Sequence, residues 1–171
     1  MQIRPAGDQD FEAMWSIFST HLAAGESFPF TTATTREAGH AYWLGSGAAT
    51  FVAVLGARVL GMYRLVANQV GRGHHVASAS FMVSPSAQGA GVGRMLGEHC
   101  LDEARRQGYL AMQFNHVVST NTAAVRLWKK LGFSIVGTLP KAFRHRRLGY
   151  VDAYVMYQLL QDPDHWPTVD A

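Results

Sequence analysis

The run Gln88-Gly89-Ala90-Gly91-Val92-Gly93-Arg94 has residue types and spacing suited to holding an anion. Glycines at 89, 91 and 93 carry no Cβ, so the backbone there can approach a ligand closely. The run follows the apolar stretch Ala79-Ser80-Phe81-Met82-Val83 and opens the amphipathic stretch Val92, Met95, Leu96, His99, Cys100. That pattern predicts a strand, a glycine-rich turn and a helix start. A helix N-terminus offers free N–H groups and the positive end of its dipole, and both favour a phosphate. Arg94, in the first turn, adds a charge-assisted contact.

Two well-known phosphate loops do not fit. No Gly-Lys-Ser/Thr follows at the spacing of a P-loop. In a dinucleotide-binding Gly-x-Gly-x-x-Gly, Arg94 or Leu96 would fall where the third glycine is needed. The next strand, Gln113-Phe114-Asn115, also lacks the acid that grips a ribose. A tight turn without a ligand is the remaining alternative.

The elements that must position this turn are legible from periodicity. Gln2 to Pro5 predicts a first strand, and Asp8 caps a helix whose apolar face is Phe11, Met14, Trp15, Phe18 and Leu22. A second helix spans Thr35 to about Leu44. Strands at 51–55 and 59–65 form a hairpin across Gly56-Ala57, and a long strand at 75–83 leads into the glycine turn. The third helix runs from about Gly91 to Gln107. A strand at 111–115 follows, then a helix capped by Thr120 or Asn121 with Ala124, Leu127, Trp128 and Leu131 on its apolar face. Strands at 133–138 and 150–159 flank a basic loop, and the tail from Asp162, with Pro163 and Pro167, is expected to fray. This order predicts an α/β (mixed α+β) fold with helices on both faces of a mixed sheet.

Composition sets the outer limits. A chain of 171 residues, 48% hydrophobic and 16% charged, suits one domain with a real core. Its one cysteine, Cys100, leaves no internal disulfide and no cysteine-based zinc site, and no metal is expected. Cys100 lies on an apolar helical stripe, where packing is the plainer role and a nucleophile the alternative. There is no secretory pattern and no apolar stretch near the roughly 20 residues that span a bilayer, so a cytoplasmic protein without a membrane partner is expected. Net charge is +3, partly from Lys141, Arg144, Arg146 and Arg147. That cluster suits a phosphate or nucleic acid, or is a solvated loop.

Gln88-x-x-Gly91-x-Gly93 resembles the Q/R-x-x-G-x-G/A signature of the GCN5-related N-acetyltransferases, the GNAT family. Asn121-Thr122-Ala123-Ala124-Val125-Arg126-Leu127-Trp128-Lys129-Lys130-Leu131-Gly132-Phe133 resembles that family's N-x-x-A-x-x-L-[YF]-x-K-x-G-F segment. Both occur in the family's order, and the resemblance spans about residues 2 to 159. It implies a single GNAT domain over 1–161 followed by a tail over 162–171, with a mostly antiparallel sheet of about seven strands.

The resemblance also implies acetyl-coenzyme A as cofactor. Backbone groups of Gln88, Gly89, Ala90, Gly91, Val92, Gly93 and Arg94 would cradle its pyrophosphate. The strand ending at Met82-Val83 would splay from the strand at 111–115, leaving a gap for the pantetheine arm, with Asn121, Ala124 and Trp128 on the cofactor side of their helix. The N–H of Val83 or its neighbour would polarise the thioester carbonyl. An ammonium has no lone pair, so a base must take its proton. Glu26, in the loop after the first helix, is the first candidate, with His74, His75 and His116 behind it. The family's usual tyrosine acid is replaced by Trp128, whose indole can only donate a hydrogen bond, and Tyr150, Tyr154 and Tyr157 near the last strand are the hydroxyls at hand.

Phe114 to Asn121 and Gly137 to Ala142 resemble a subgroup that includes acetyltransferases of proline analogues. There the asparagine matching Asn115 faces the acceptor carboxylate, while Ser78 stands where those enzymes have a second asparagine. Phe28, Phe30, Trp43 and Tyr63 wall a pocket or pack in the core. The reaction implied is direct acetyl transfer to the amine of a small molecule or amino acid, with no nucleic-acid partner and a homodimer as the expected assembly. A protein N-terminal or lysine acetyltransferase and a cofactor-binding sensor are the alternatives.

Overall fold

Side chains along a strand alternate between two faces, and here the apolar ones divide accordingly. The computed structural model describes residues 1–167. Its strands are β1 (Gln2–Pro5), β2 (Ala49–Leu55), β3 (Arg58–Ala67), β4 (Val76–Val83), β5 (Ala111–Val118), β6 (Ser134–His145) and β7 (Gly149–Leu159). The helices are α1 (Phe11–Ala24), α2 (Arg36–Leu44), α3 (Val92–Arg106) and α4 (Thr122–Lys130). On one face Ala53, Tyr63, Leu65, Ala77, Phe114 and Met156 cluster with Val92, Leu96, Cys100 and Ala104 of α3 and Trp128 of α4. On the other, Val52, Val54, Met62 and Met82 cluster with Met14, Phe18 and Leu22 of α1 and Trp43 of α2. Cys100 is wholly buried in the first of these clusters, and burial pushes its thiol pKa up, as befits a core residue.

The strand order is β1-β2-β3-β4-β5-β7-β6, antiparallel except where β4 meets β5. That one parallel pairing holds for two register pairs, Val76 with Ala111 and Ala77 with Met112, and then stops. Beyond Ala77 the two central strands have no ladder between them. No helix among the described residues is long and apolar enough to cross a membrane.

Three expected boundaries differ. β5 runs on to Val118, because the bulge between Phe114 and Val117 lets it keep pairing with β7. The basic segment is mostly not a loop: β6 continues to His145. It is the outer strand, so Pro140 removes no needed ladder bond, and a bulge between Leu139 and Phe143 absorbs Lys141 at a φ of 54°. The Asp152 carboxylate accepts the Lys141 N–H at 2.9 Å. In the tail, Pro163–His165 form a short 3-10 turn and Trp166 packs on His75 at 5.7 Å between ring centres, while residues 168–171 lie outside the described residues.

Asp8 was the expected cap of α1, but Asp10 takes that place. A 3-10 turn at Asp8–Asp10 precedes the helix, and the Asp10 carboxylate accepts the Gly7 N–H at 3.0 Å. It also accepts both arms of the Arg4 guanidinium, each at 2.7 Å, tying β1 to the start of α1. Asp8 instead pairs with His40 of α2 at 2.7 Å. The Arg4 hydrogen bonds hold the Asp10 carboxyl below its ordinary range, against the opposing effect of burial. A depressed carboxylate contributes stability that is full above the unfolded value, near pH 3.9, and lost as pH falls through the folded one. Asp10→Asn is therefore expected to cost about 1–3 kcal/mol at pH 7. Denaturant melts across a pH series should show the wild type and the variant converging as pH falls below about 4.

Candidate active site

The turn between β4 and α3 is built for an anion. Gly89 and Gly91 adopt φ of 79° and 82°, the left-handed region that side chains resist. A Cβ on either would meet nothing within 4 Å, so open space lies over the turn. Gly91 is the N-cap of α3 and offers no side-chain cap to the first turn. The N–H groups of Val92, Gly93 and Arg94 have no intrahelical acceptor at that position. The buried Val92 side chain anchors the turn in the core below. Gln88, Ala90 and Arg94 are exposed around it. Arg94 lies along the helix, its Nε donating to Glu98 at 2.8 Å, and Arg58 Nη2 reaches Ser86 at 3.5 Å beside the turn. Open, uncapped and positively polarised, this cradle fits a pyrophosphate.

β4 carries the turn's chemistry into the gap. Ser84 N–H donates to Leu60 O and Asn68 N–H to Val76 O, each at 2.8 Å. With the register between them regular, even-numbered β4 residues bond to β3, and Ala79, Phe81 and Val83 aim their N–H and C=O groups toward β5. Past Ala77 no strand answers them. One of these groups has a side-chain partner: His21 Nε2 on α1 donates to Val83 O at 2.8 Å. On the α3/α4 face, Trp128 wedges against Phe81 at 4.7 Å and Phe114 at 4.8 Å between ring centres, where the two strands part. Asn121 caps α4, its Oδ1 accepting Ala124 N–H at 3.2 Å.

Beside the gap lies a cavity of about 660 Å³. Leu22 and Gly25 from the end of α1, Phe28 and Phe30 from the following loop, and Phe143 and Arg144 from β6 form its walls, with His116 of β5. His116 Nε2 faces the Ala142 carbonyl at 3.2 Å. A carbonyl only accepts, so Nε2 carries the proton and Nδ1 is left with a lone pair, which is buried without a partner. Arg146 is tied to the same end of α1, its N–H donating to Gly25 O at 3.0 Å.

The other candidates fall in varied places. Glu26 accepts from Arg147 Nε at 2.7 Å, next in sequence to the cavity-lining Gly25 and Arg146. His74 is turned onto the Gly71 carbonyl at 2.6 Å, and His75 onto Trp166. Asn115 donates to Asn68 Oδ1 at 2.6 Å and accepts from Gln113 at 2.7 Å. Ser78 stands opposite Val66 on β3. Tyr150 is exposed on the β6–β7 hairpin, whereas Tyr154 packs against the core. His21 and Arg58 were not singled out from sequence. The position of His21 at the end of a helix that borders the gap was the available signal.

Comparison with known proteins agrees with this geometry. The family model described as acetyltransferase (GNAT) family matches residues 11–133. A solved GCN5-related N-acetyltransferase from Kribbella flavida is 44% identical, with a TM-score of 0.89 over 92% of this chain and 96% of that one. The N-acetyltransferase aca1 of Schizosaccharomyces pombe is 37% identical over 66% of this chain and 51% of its own length. An L-methionine sulfoximine/L-methionine sulfone acetyltransferase of Salmonella typhimurium is 40% identical over 36% of each chain. The chain thus spans about half or less of the curated relatives it matches. Two further solved structures of this fold hold acetyl-coenzyme A. The model match covers well over half of the sequence, and the chain belongs to the acetyltransferase (GNAT) family.

Proposed function

We propose that this chain transfers the acetyl group of acetyl-coenzyme A to the amine of a small acceptor, an amino acid or amino-acid analogue. The observation that carries the reading is the cavity at the gap. It is walled by Phe28, Phe30 and Phe143 and edged by Arg144 and Arg146, an aromatic and basic site rather than an acidic groove for a peptide. The similarity to a methionine sulfone acetyltransferase points the same way.

Each part has a role that its geometry supports. The N–H groups of Val92, Gly93 and Arg94 hold the pyrophosphate, helped by the left-handed backbone at Gly89 and Gly91. The unpaired edge of β4 takes the pantetheine arm as an added strand would be taken. Acetyl-coenzyme A supplies an acetyl thioester. Phe81 and Val83 N–H groups face the gap and can steady negative charge on a carbonyl oxygen there. His116 lines the cavity and keeps an unshared lone pair on Nδ1, and it is the base that takes the proton of the acceptor amine in this reading. We assign it this role over Glu26, whose carboxylate is held by Arg147.

Thiol release from acetyl-coenzyme A across a panel of α-amino acids, small amines and peptides tests the reading. Turnover of amino acids is expected, and turnover of peptides alone would replace it with a protein acetyltransferase. His116→Ala should lower kcat by about 100-fold or more while the KM for acetyl-coenzyme A moves far less. A pH profile that keeps its acidic limb in that variant would return the role to Glu26. Gly91→Glu should weaken acetyl-coenzyme A binding by about 100-fold or more in calorimetry, through charge repulsion in the cradle. Gly47→Ala, also at positive φ but far from the turn in sequence, bears the same backbone strain and should bind normally.

A further inference from the structure

We infer that Arg64 recognises the carboxylate of an α-amino acid acceptor, a residue that sets acceptor choice. The inference rests on the amino-acid reading above and names the group that enforces it. Arg64 lies on β3 opposite Ser80 of β4. Its guanidinium carbon sits 4.5 Å from the centre of the Tyr42 ring, and the Tyr42 hydroxyl shares a 2.6 Å hydrogen bond with Ser80. This places the side chain on the α1/α2 face.

Its bonding is incomplete. Arg64 Nε is buried and meets no partner. Among the described residues no carboxylate lies within ion-pair distance of it, whereas Arg4, Arg36, Arg94, Arg105, Arg106 and Arg147 each hold one. A half-buried cation without a counter-charge is unfavourable, and an arriving carboxylate relieves it. The guanidinium fork suits that partner in a two-point contact, and the Tyr42 stack fixes its plane.

The position is right for an amine at the gap. Ser80 adjoins Phe81, whose N–H faces the opening. In an α-amino acid one carbon separates amine from carboxylate. An amine at the gap therefore presents its carboxylate to the face next to Phe81, within reach of a long side chain one strand away, about 4.8 Å. Ser78 and Ser80 are small and leave that path low. Asn115 and Asn68 bond each other, whereas Arg64 on this face holds no carboxylate among the described residues and is free to meet one.

Steady-state kinetics with acetyl-coenzyme A and three matched acceptors test this. The acceptors are L-methionine sulfone, or whichever α-amino acid the panel turns over best, its carboxamide, and its decarboxylated amine. The wild type should prefer the acid. Arg64→Met should lower kcat/KM for the acid by about 10- to 100-fold and collapse the preference, and Arg64→Lys should retain part of it. Calorimetric affinity for acetyl-coenzyme A reports on folding. If the Met variant does not bind it, the Lys variant decides, because its preference must also fall. A preference for the acid that survives in the variants, or equal losses on all three acceptors, overturns the role of Arg64 and leaves the amino-acid reading standing. A wild type that acetylates peptides and no α-amino acid removes that reading and this inference together.

Discussion

Everything at the site depends on a ladder that stops. β4 and β5 pair through two residues each and then part, in the middle of a seven-stranded sheet. Backbone groups that leave a ladder inside a protein must find other partners, because an unmet donor or acceptor is costly. Val83 O finds His21. The N–H groups of Ala79, Phe81 and Val83 stay directed at the opening, a strand edge held inside the fold. Edges of this kind bind extended chains, and a pantetheine arm with its two amides is such a chain.

What keeps the strands apart is aromatic volume. Phe81, Phe114 and Trp128 meet at the fork, and Phe114 stacks on Phe133 at 4.3 Å. The α3–α4 contact that seats Trp128 requires Gly97, where a Cβ would come within 3.2 Å of the indole. The tryptophan thus has a structural task in the place where the family resemblance implies a tyrosine. The glycine cradle and the gap are one object mechanically, since β4 runs through a single turn of Pro85–Ala87 into the loop.

The geometry proposed for the donor half of the site was legible in the sequence because it is local. Gln88 to Arg94 form one turn, the strand before them aims the unpaired N–H groups, and Asn121 to Phe133 form one helix and its exit. The fold class was legible for the same reason, since period and capping mark each element. The acceptor half is not local. Its cavity joins α1, the loop after it, His116 and a hairpin more than a hundred residues away along the chain. Pro140 and the charges at 141–147 read as a loop because the outer-strand position that tolerates them is a tertiary fact. Glu26 read as a free base because nothing in the spacing foretold Arg147. His21 and Arg64 stood in plain apolar patterns, and only their partners, or the lack of them, distinguish them.

The substitution at Trp128 follows from where the chemical difficulty lies. A thiol such as that of cysteine ionises near pH 8.5, so a thiolate is a tolerable leaving group at neutral pH and gains little from an acid. An amine is different, because its protonated form cannot attack at all. A site can therefore give the tyrosine position to packing without losing the reaction, while it cannot do without an acceptor for the amine proton. In the reading proposed above that acceptor is the His116 imidazole, whose tautomer is set by a main-chain carbonyl, Ala142 O, on the strand that also walls the cavity. On that reading, binding of the acceptor and readiness of its base depend on the same hairpin, so a change in β6 that admits a different acceptor would also disturb the proton transfer it needs.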